Sequence, residues 1–271
     1  MMKSLKTDDG HTLKVHLEGE GRPGLLLVHG FPFDHRQWGP QIEALSGVTA
    51  VAAPDLRGLG ASEGPGEASG YSMDRYARDL VGVLDGLGWE EAVFAGLSMG
   101  GYIALAFHRL FPRRLAGLVL MDTHPYPDSE EGRAGRKENQ KRVRSDGPDA
   151  LVDEMVERVL GPTTLGERPH IVSMVRSMIS EQPAGGVIGA LEAMAGRPSS
   201  VADLAGVGVP SLVMVGSEDT LTTPVQVQGM AAKIPGARFR EIRAAGHLVS
   251  LEAPEAVNEA LRSFLEEEWG V

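Results

Sequence analysis

Short apolar runs alternate with longer stretches of helical spacing along most of the 271 residues, a rhythm that predicts strand and helix units around a mainly parallel sheet. Gly24 to Val28, Thr49 to Ala53, Glu91 to Ala95, Leu115 to Met121 and Ser211 to Val215 read as short buried strands, with a further strand at Arg238 to Arg243. Thr12 to Glu18 alternates between polar and apolar positions and reads as an edge strand. Between Tyr71 and Gly88, Met73, Tyr76, Ala77, Leu80, Val81, Leu84 and Leu87 recur at helical spacing, and Gly88 supplies the stop. Later helices open at Thr223-Pro224 and at Pro254, since proline suits a first helical turn.

From Thr123 to about Pro198 the alternation stops. Residues 129–145 are highly charged, while Leu151, Val152, Met155, Val156, Val159 and Leu160 share one apolar face, as do Ile171, Val172, Val175, Met178 and Ile179. The expected organisation is a core domain of residues 1–122 and 199–271, interrupted by a helical cap at 123–198.

Gly96-Leu97-Ser98-Met99-Gly100, followed by Gly101, stands between a short apolar strand and the helical stretch Tyr102 to Phe107. A serine there sits on a sharp strand-to-helix turn that exposes its hydroxyl, and side chains at the flanking glycines would collide with the turn. Taken alone, the pattern also fits a turn of small residues opening a helix. A nucleophile on such an elbow takes its acid and histidine from later in the chain. Asp219 follows the strand at Ser211 to Val215, and His247 follows the next strand, 28 residues on (247 minus 219). That spacing holds one helix and one strand, so both loops can open at the same end of the sheet.

Composition narrows the partners. The net charge of -11 and the pI near 5.2 disfavour nucleic acid and anionic membrane surfaces. With no cysteine, disulfides, thiolate metal sites and cysteine nucleophiles are excluded. No Walker loop, dinucleotide fingerprint or HExxH pair is present, so neither a cofactor nor a metal is implied. The start lacks the apolar core of a signal peptide, and no apolar run approaches membrane-spanning length, so the expected location is cytoplasmic.

The segments HGFPFDHRQW at 29–38, PDLRGLGAS at 54–62, GLSMGGYIALAF at 96–107, VGSEDTLTTP at 215–224 and AGHLVSLEAPE at 245–255 together resemble the α/β-hydrolase superfamily. More narrowly, the chain is similar to its bacterial carboxylesterase and 3-oxoadipate enol-lactonase group, whose members carry a helical cap. The resemblance implies an eight-stranded, mostly parallel sheet flanked by helices. It also implies catalysis by Ser98 as nucleophile, His247 as base and Asp219 as its orienting acid, with the backbone amides of Phe31 and Met99 as the oxyanion hole. Asp122, which also ends a strand, is the rival acid, because some members of the fold take their acid there.

Among other candidates, His29 is expected to buttress the oxyanion loop and Arg57 to brace neighbouring loops. Asp34 and His35 either reach the pocket mouth or cap their loop. Met155, Met174, Met178 and Met194, with Phe31, Phe33 and Trp38, either line the pocket or pack structurally. Glu218 should point away from the site, His124 should lie at the cap entrance, and His11, His16, His108 and His170 should sit on solvated faces. The implied activity is hydrolysis of a small-molecule carboxylic ester with a short to medium acyl chain by a monomer or small homo-oligomer. Enol-lactone hydrolysis is the main alternative; perhydrolysis, carbon–carbon bond hydrolysis and non-catalytic ligand binding stand behind it.

Overall fold

The computed structural model describes residues 1–66 and 68–271. Eight strands form one sheet: β1 (Met2–Lys6), β2 (Thr12–Glu18), β3 (Gly24–Val28), β4 (Val51–Pro54), β5 (Ala92–Leu97), β6 (Leu115–Met121), β7 (Ser211–Gly216) and β8 (Arg238–Ile242). Their spatial order is β1-β2-β4-β3-β5-β6-β7-β8, with β1 and β2 antiparallel to their neighbours and every later pairing parallel. Eleven α-helices accompany them among the described residues. Those of the core are α1 (Gly39–Leu45), α2 (Met73–Leu87), α3 (Met99–Leu110), and, after the insertion, α9 (Pro224–Ala231), α10 (Val249–Glu252) and α11 (Pro254–Trp269). The insertion between β6 and β7 contains α4 (Glu130–Asp146), α5 (Val152–Val159), α6 (Pro162–Glu167), α7 (Pro169–Ser180) and α8 (Ala184–Ala195).

The central strands are apolar at successive positions because both of their faces are covered. Leu26, Val28 and Phe94 point to the layer holding Tyr76, Leu80, Ile103 and Phe107 of α2 and α3. Leu25, Leu27, Val93 and Ala95 point to the opposite layer, with Ile42 of α1 and Val257, Leu261 and Phe264 of α11. Each fully buried Leu, Val, Ile or Phe side chain among them contributes about 1.5–3 kcal/mol of transfer free energy. The parallel core also fixes where loops emerge, since every parallel strand presents its C-terminal end on the same edge.

Two expectations from the sequence change here. Thr12–Glu18 is the second strand rather than the edge, because β1 pairs outside it from Met2↔His16 to Lys6↔Thr12. His108 is buried on α3 at 9 % exposure rather than solvated, and burial pushes its imidazole below the ordinary histidine range.

Candidate active site

Ser98 follows β5 with φ 54° and ψ -112°, a left-handed conformation costly for a residue with a Cβ. Its backbone is held from both sides: Ser98 N donates to Met121 O at 2.9 Å, and Thr123 Oγ1 donates to Ser98 O at 2.9 Å. The turn is too tight for larger neighbours. A Cβ on Gly96 would lie 2.3 Å from Gly100 O, and one on Gly100 would lie 2.1 Å from Val28 O. The GxSxG spacing is thus a steric requirement of this strand-to-helix crossing.

At the ends of β7 and β8 the chain delivers an acid and a histidine. Ser98 Oγ donates to His247 Nε2 at 2.7 Å, and His247 Nδ1 donates to Asp219 Oδ2 at 2.8 Å. Because an ionised carboxylate only accepts, the Asp219 contact fixes the proton on Nδ1 and leaves Nε2 free to accept from serine. Asp219 is itself fully used: Oδ1 accepts from the amides of Leu221 and Thr222 at 2.8 and 3.0 Å, and Oδ2 accepts from Thr222 Oγ1 at 2.5 Å. Burial works to raise this carboxyl, but His247 beside it and the Thr222 donors outweigh burial and hold it below the usual carboxylate range.

Asp122 sits within the same loop cluster yet makes no hydrogen bond to the imidazole among the described residues. Its Oδ1 accepts from Gly216 N at 2.9 Å and its Oδ2 from Val249 N at 3.3 Å, so it ties the β7 end to the segment after His247. Burial, and then the charge of Asp219, push the Asp122 carboxyl well above the carboxylate range.

The insertion holds the histidine loop directly. His247 N donates to Val159 O at 3.0 Å, Glu252 accepts from the amides of Gly161 and Leu248 at 2.8 and 3.0 Å, and Glu218 accepts from Thr163 N at 3.0 Å. Glu218 therefore points away from Ser98 and into α6.

The loop after β3 brings Phe31 to the serine. His29 is completely buried, and burial keeps its imidazole below the ordinary range. It accepts from Leu56 N through Nε2 at 3.0 Å and donates through Nδ1 to Gly30 O at 2.8 Å, while Gly30 N donates to Gln37 Oε1 at 2.9 Å. That network supports the loop from beneath. The Met99 amide is at the first position of α3, where no intrahelical acceptor exists, and the Phe31 amide has no protein acceptor among the described residues.

Ser98, His247 and Phe31 open onto a cleft of about 630 Å³, within the usual range of small-molecule sites. Its inner wall is largely apolar, with Phe31, Met155, Val159, Leu191, Met194 and Leu221, interrupted by Tyr102 and His124. Further out, Arg136, Arg142 and Arg158 stand among Asp128, Glu131, Glu138 and Glu154. Arg136 pairs with Asp128, and Arg142 donates to Glu154 at 2.7 Å. The other sequence candidates lie elsewhere. Phe33, Trp38 and Met178 are core residues, and Met174 is partly exposed on α7, outside the cleft. Asp34 caps its own turn through Arg36 N at 3.0 Å, and His35 donates to Asp55 at 2.6 Å. Arg57 is buried in a fork with Asp79, at 2.7 Å through Nε and 2.6 Å through Nη2.

Residues 23–254 match the alpha/beta hydrolase fold family, so the chain belongs to that family and is a hydrolase. It is similar to a thermophilic esterase from Thermogutta terrifontis, with 39% identity, 99% of each chain covered and a TM-score of 0.94. It is also similar to the enol-lactonase from Burkholderia xenovorans LB400, with 28% identity over 97% of this chain and 99% of that one and a TM-score of 0.89. Among curated proteins, 3-oxoadipate enol-lactonase 1 of Acinetobacter baylyi is 27% identical over 257 residues, 94% of each chain.

Proposed function

We propose that this protein is a serine hydrolase of small carboxylic esters with short to medium acyl chains. The observation that carries this is the continuous hydrogen-bonded chain from Ser98 through His247 to Asp219, with the serine opening onto the cleft. In that mechanism Ser98 Oγ attacks the ester carbonyl while His247 Nε2 takes its proton. The amides of Phe31 and Met99 receive the developing oxyanion, each contributing roughly 3 kcal/mol of transition-state stabilisation. His247 then protonates the leaving alcohol, and water, deprotonated by the same nitrogen, releases the acid from the acyl-serine. Asp219 holds the required tautomer throughout and offsets the charge of the imidazolium.

Lactone hydrolysis is the second reading, supported by the similarity to enol-lactonases. It uses the same steps with a cyclic substrate. The cleft's charges weigh against a strongly anionic substrate: the three arginines of its outer part stand among four carboxylates and give no net cationic field. The test is a panel of nitrophenyl esters of increasing acyl length beside neutral and carboxylate-bearing lactones. Highest kcat/KM on a neutral short or medium ester supports the first reading, whereas a carboxylate-bearing lactone exceeding every ester would replace it with the second.

A further inference from the structure

One wall of the cleft carries a polar group for which the hydrolytic steps have no use. Tyr102 lies on α3 four residues after Ser98, one helical turn away on the same face, and both line the cleft. Its hydroxyl is 3.2 Å from His124 Nε2. The direction of that bond follows from the other side of the imidazole, where the Tyr126 amide, which can only donate, points at His124 Nδ1 at 3.2 Å. Nδ1 therefore accepts, so in the neutral ring the proton sits on Nε2 and is donated to the Tyr102 oxygen. Burial, then the charge of Arg197, push this imidazole down to about 4, which agrees with a neutral ring.

The tyrosine oxygen is thus already an acceptor, and its own O–H has no protein acceptor among the described residues. The ring is packed in place on one face. Arg197 stacks on it with its guanidinium carbon 4.1 Å from the centroid, and that cation is itself anchored by Asp128 at 2.6 Å and Met194 O at 2.8 Å. Burial raises the Tyr102 hydroxyl above the ordinary phenol range and Arg197 on its ring face only partly offsets this, so the hydroxyl keeps its proton to donate. Leu191, Met194 and Met155 line the same cleft with apolar surface.

We propose that Tyr102 is a specificity-determining residue whose hydroxyl donates to an oxygen carried by the substrate a few bonds from the scissile carbonyl. The substrate class is then esters or lactones bearing a second acceptor oxygen, such as an ether, keto or hydroxyl group, in the portion that lies along α3. This rests on Ser98 being the nucleophile. His124 acts through Tyr102 by occupying its lone pair and setting the direction of its proton, so it is a positioning residue.

Matched substrates separate selectivity from structural damage. Nitrophenyl butyrate and nitrophenyl methoxyacetate differ by one CH₂ replaced by oxygen on the acyl side; butyl acetate and 2-methoxyethyl acetate differ likewise on the alcohol side. Tyr102→Phe should lower kcat/KM about tenfold on the oxygen-bearing member of one pair, the worth of a single hydrogen bond. The carbon-only member of each pair measures any general effect of the substitution, so the change is read as the ratio within the pair, and the affected pair identifies which portion meets α3. Equal changes on both members of both pairs, or no change on any, would overturn the proposal while leaving the serine esterase reading intact. Failure of the wild-type protein to hydrolyse any of the four esters would overturn both.

Discussion

Asp219→Asn probes the proposed mechanism at the point where the structure dictates the outcome most closely. The carboxylate accepts at both oxygens, and the replacement amide must choose which end faces the histidine. The amides of Leu221 and Thr222 both donate to Oδ1, so the carbonyl oxygen of asparagine is required there. The NH₂ group then occupies the Oδ2 position, 2.8 Å from His247 Nδ1, and donates to it. Thr222 tolerates the exchange because its hydroxyl, now a donor at 2.5 Å, can rotate and accept. His247 is forced into the tautomer with its proton on Nε2, which cannot take the Ser98 proton. The expected loss is on the order of 10⁴ in kcat, or about 5.4 kcal/mol of barrier. Steady-state hydrolysis of nitrophenyl butyrate measures it, with urea unfolding as the check that the fold survives. Asp122→Asn is the control: its amide keeps an acceptor for only one of the Gly216 and Val249 N–H groups, so stability should fall, but it does not bond the imidazole and kcat of the folded protein should be nearly unchanged. Near-wild-type turnover by Asp219→Asn, or collapse on Asp122→Asn instead, would refute the assignment of the acid.

Other consequences are equally open to measurement. Gly100→Ala places a Cβ 2.1 Å from Val28 O, and the backbone shift it forces should cost about 3 kcal/mol in urea unfolding and remove most activity; a neutral result would show that the elbow relaxes freely. Glu252→Gln retains one of the two acceptors that receive Gly161 N and Leu248 N, so stability should fall by about 2 kcal/mol in the same assay, and an unchanged midpoint would contradict that tie. His124 has its folded-state pKa lowered from 6.5 to about 4, so the unfolded chain binds this proton first. Its contribution is present above pH 6.5 and is lost as pH falls toward 4. Relative to His124→Gln, the wild type should lose up to about 3 kcal/mol over that window, and a loss on raising the pH would reverse the assigned sign.

How much of this was legible follows from how local each signal is. Ser98 announces itself because the steric demands of the elbow fall on residues within two or three positions of it. Asp219 and His247 are readable because a loop after an apolar run marks a strand end, and parallel strands send those ends to one edge. By contrast, β1 gives little signal: Met2–Lys6 alternates between exposed and half-buried positions, and its strand state comes from pairing with β2. The same pairing moved Thr12–Glu18 inward. His108 looked solvated because its burial depends on which face of α3 meets the core. The Tyr102 wall was hidden for a related reason. It draws Tyr102 from α3, His124 from the segment after β6 and Arg197 from the segment after α8, and no sequence spacing links the three. Arg136, Arg142 and Arg158 enter the cleft through the helical pose of the insertion, which a charged stretch of sequence leaves open.

The central claim is that Ser98 is a nucleophile activated by His247. Intact-mass spectrometry after incubation with a fluorophosphonate, followed by peptide mapping, tests it most directly. One adduct per chain, on Ser98, abolished in Ser98→Ala and strongly slowed in His247→Ala, is the predicted result. No adduct on the folded wild-type protein, or an adduct mapping to another residue, would contradict it.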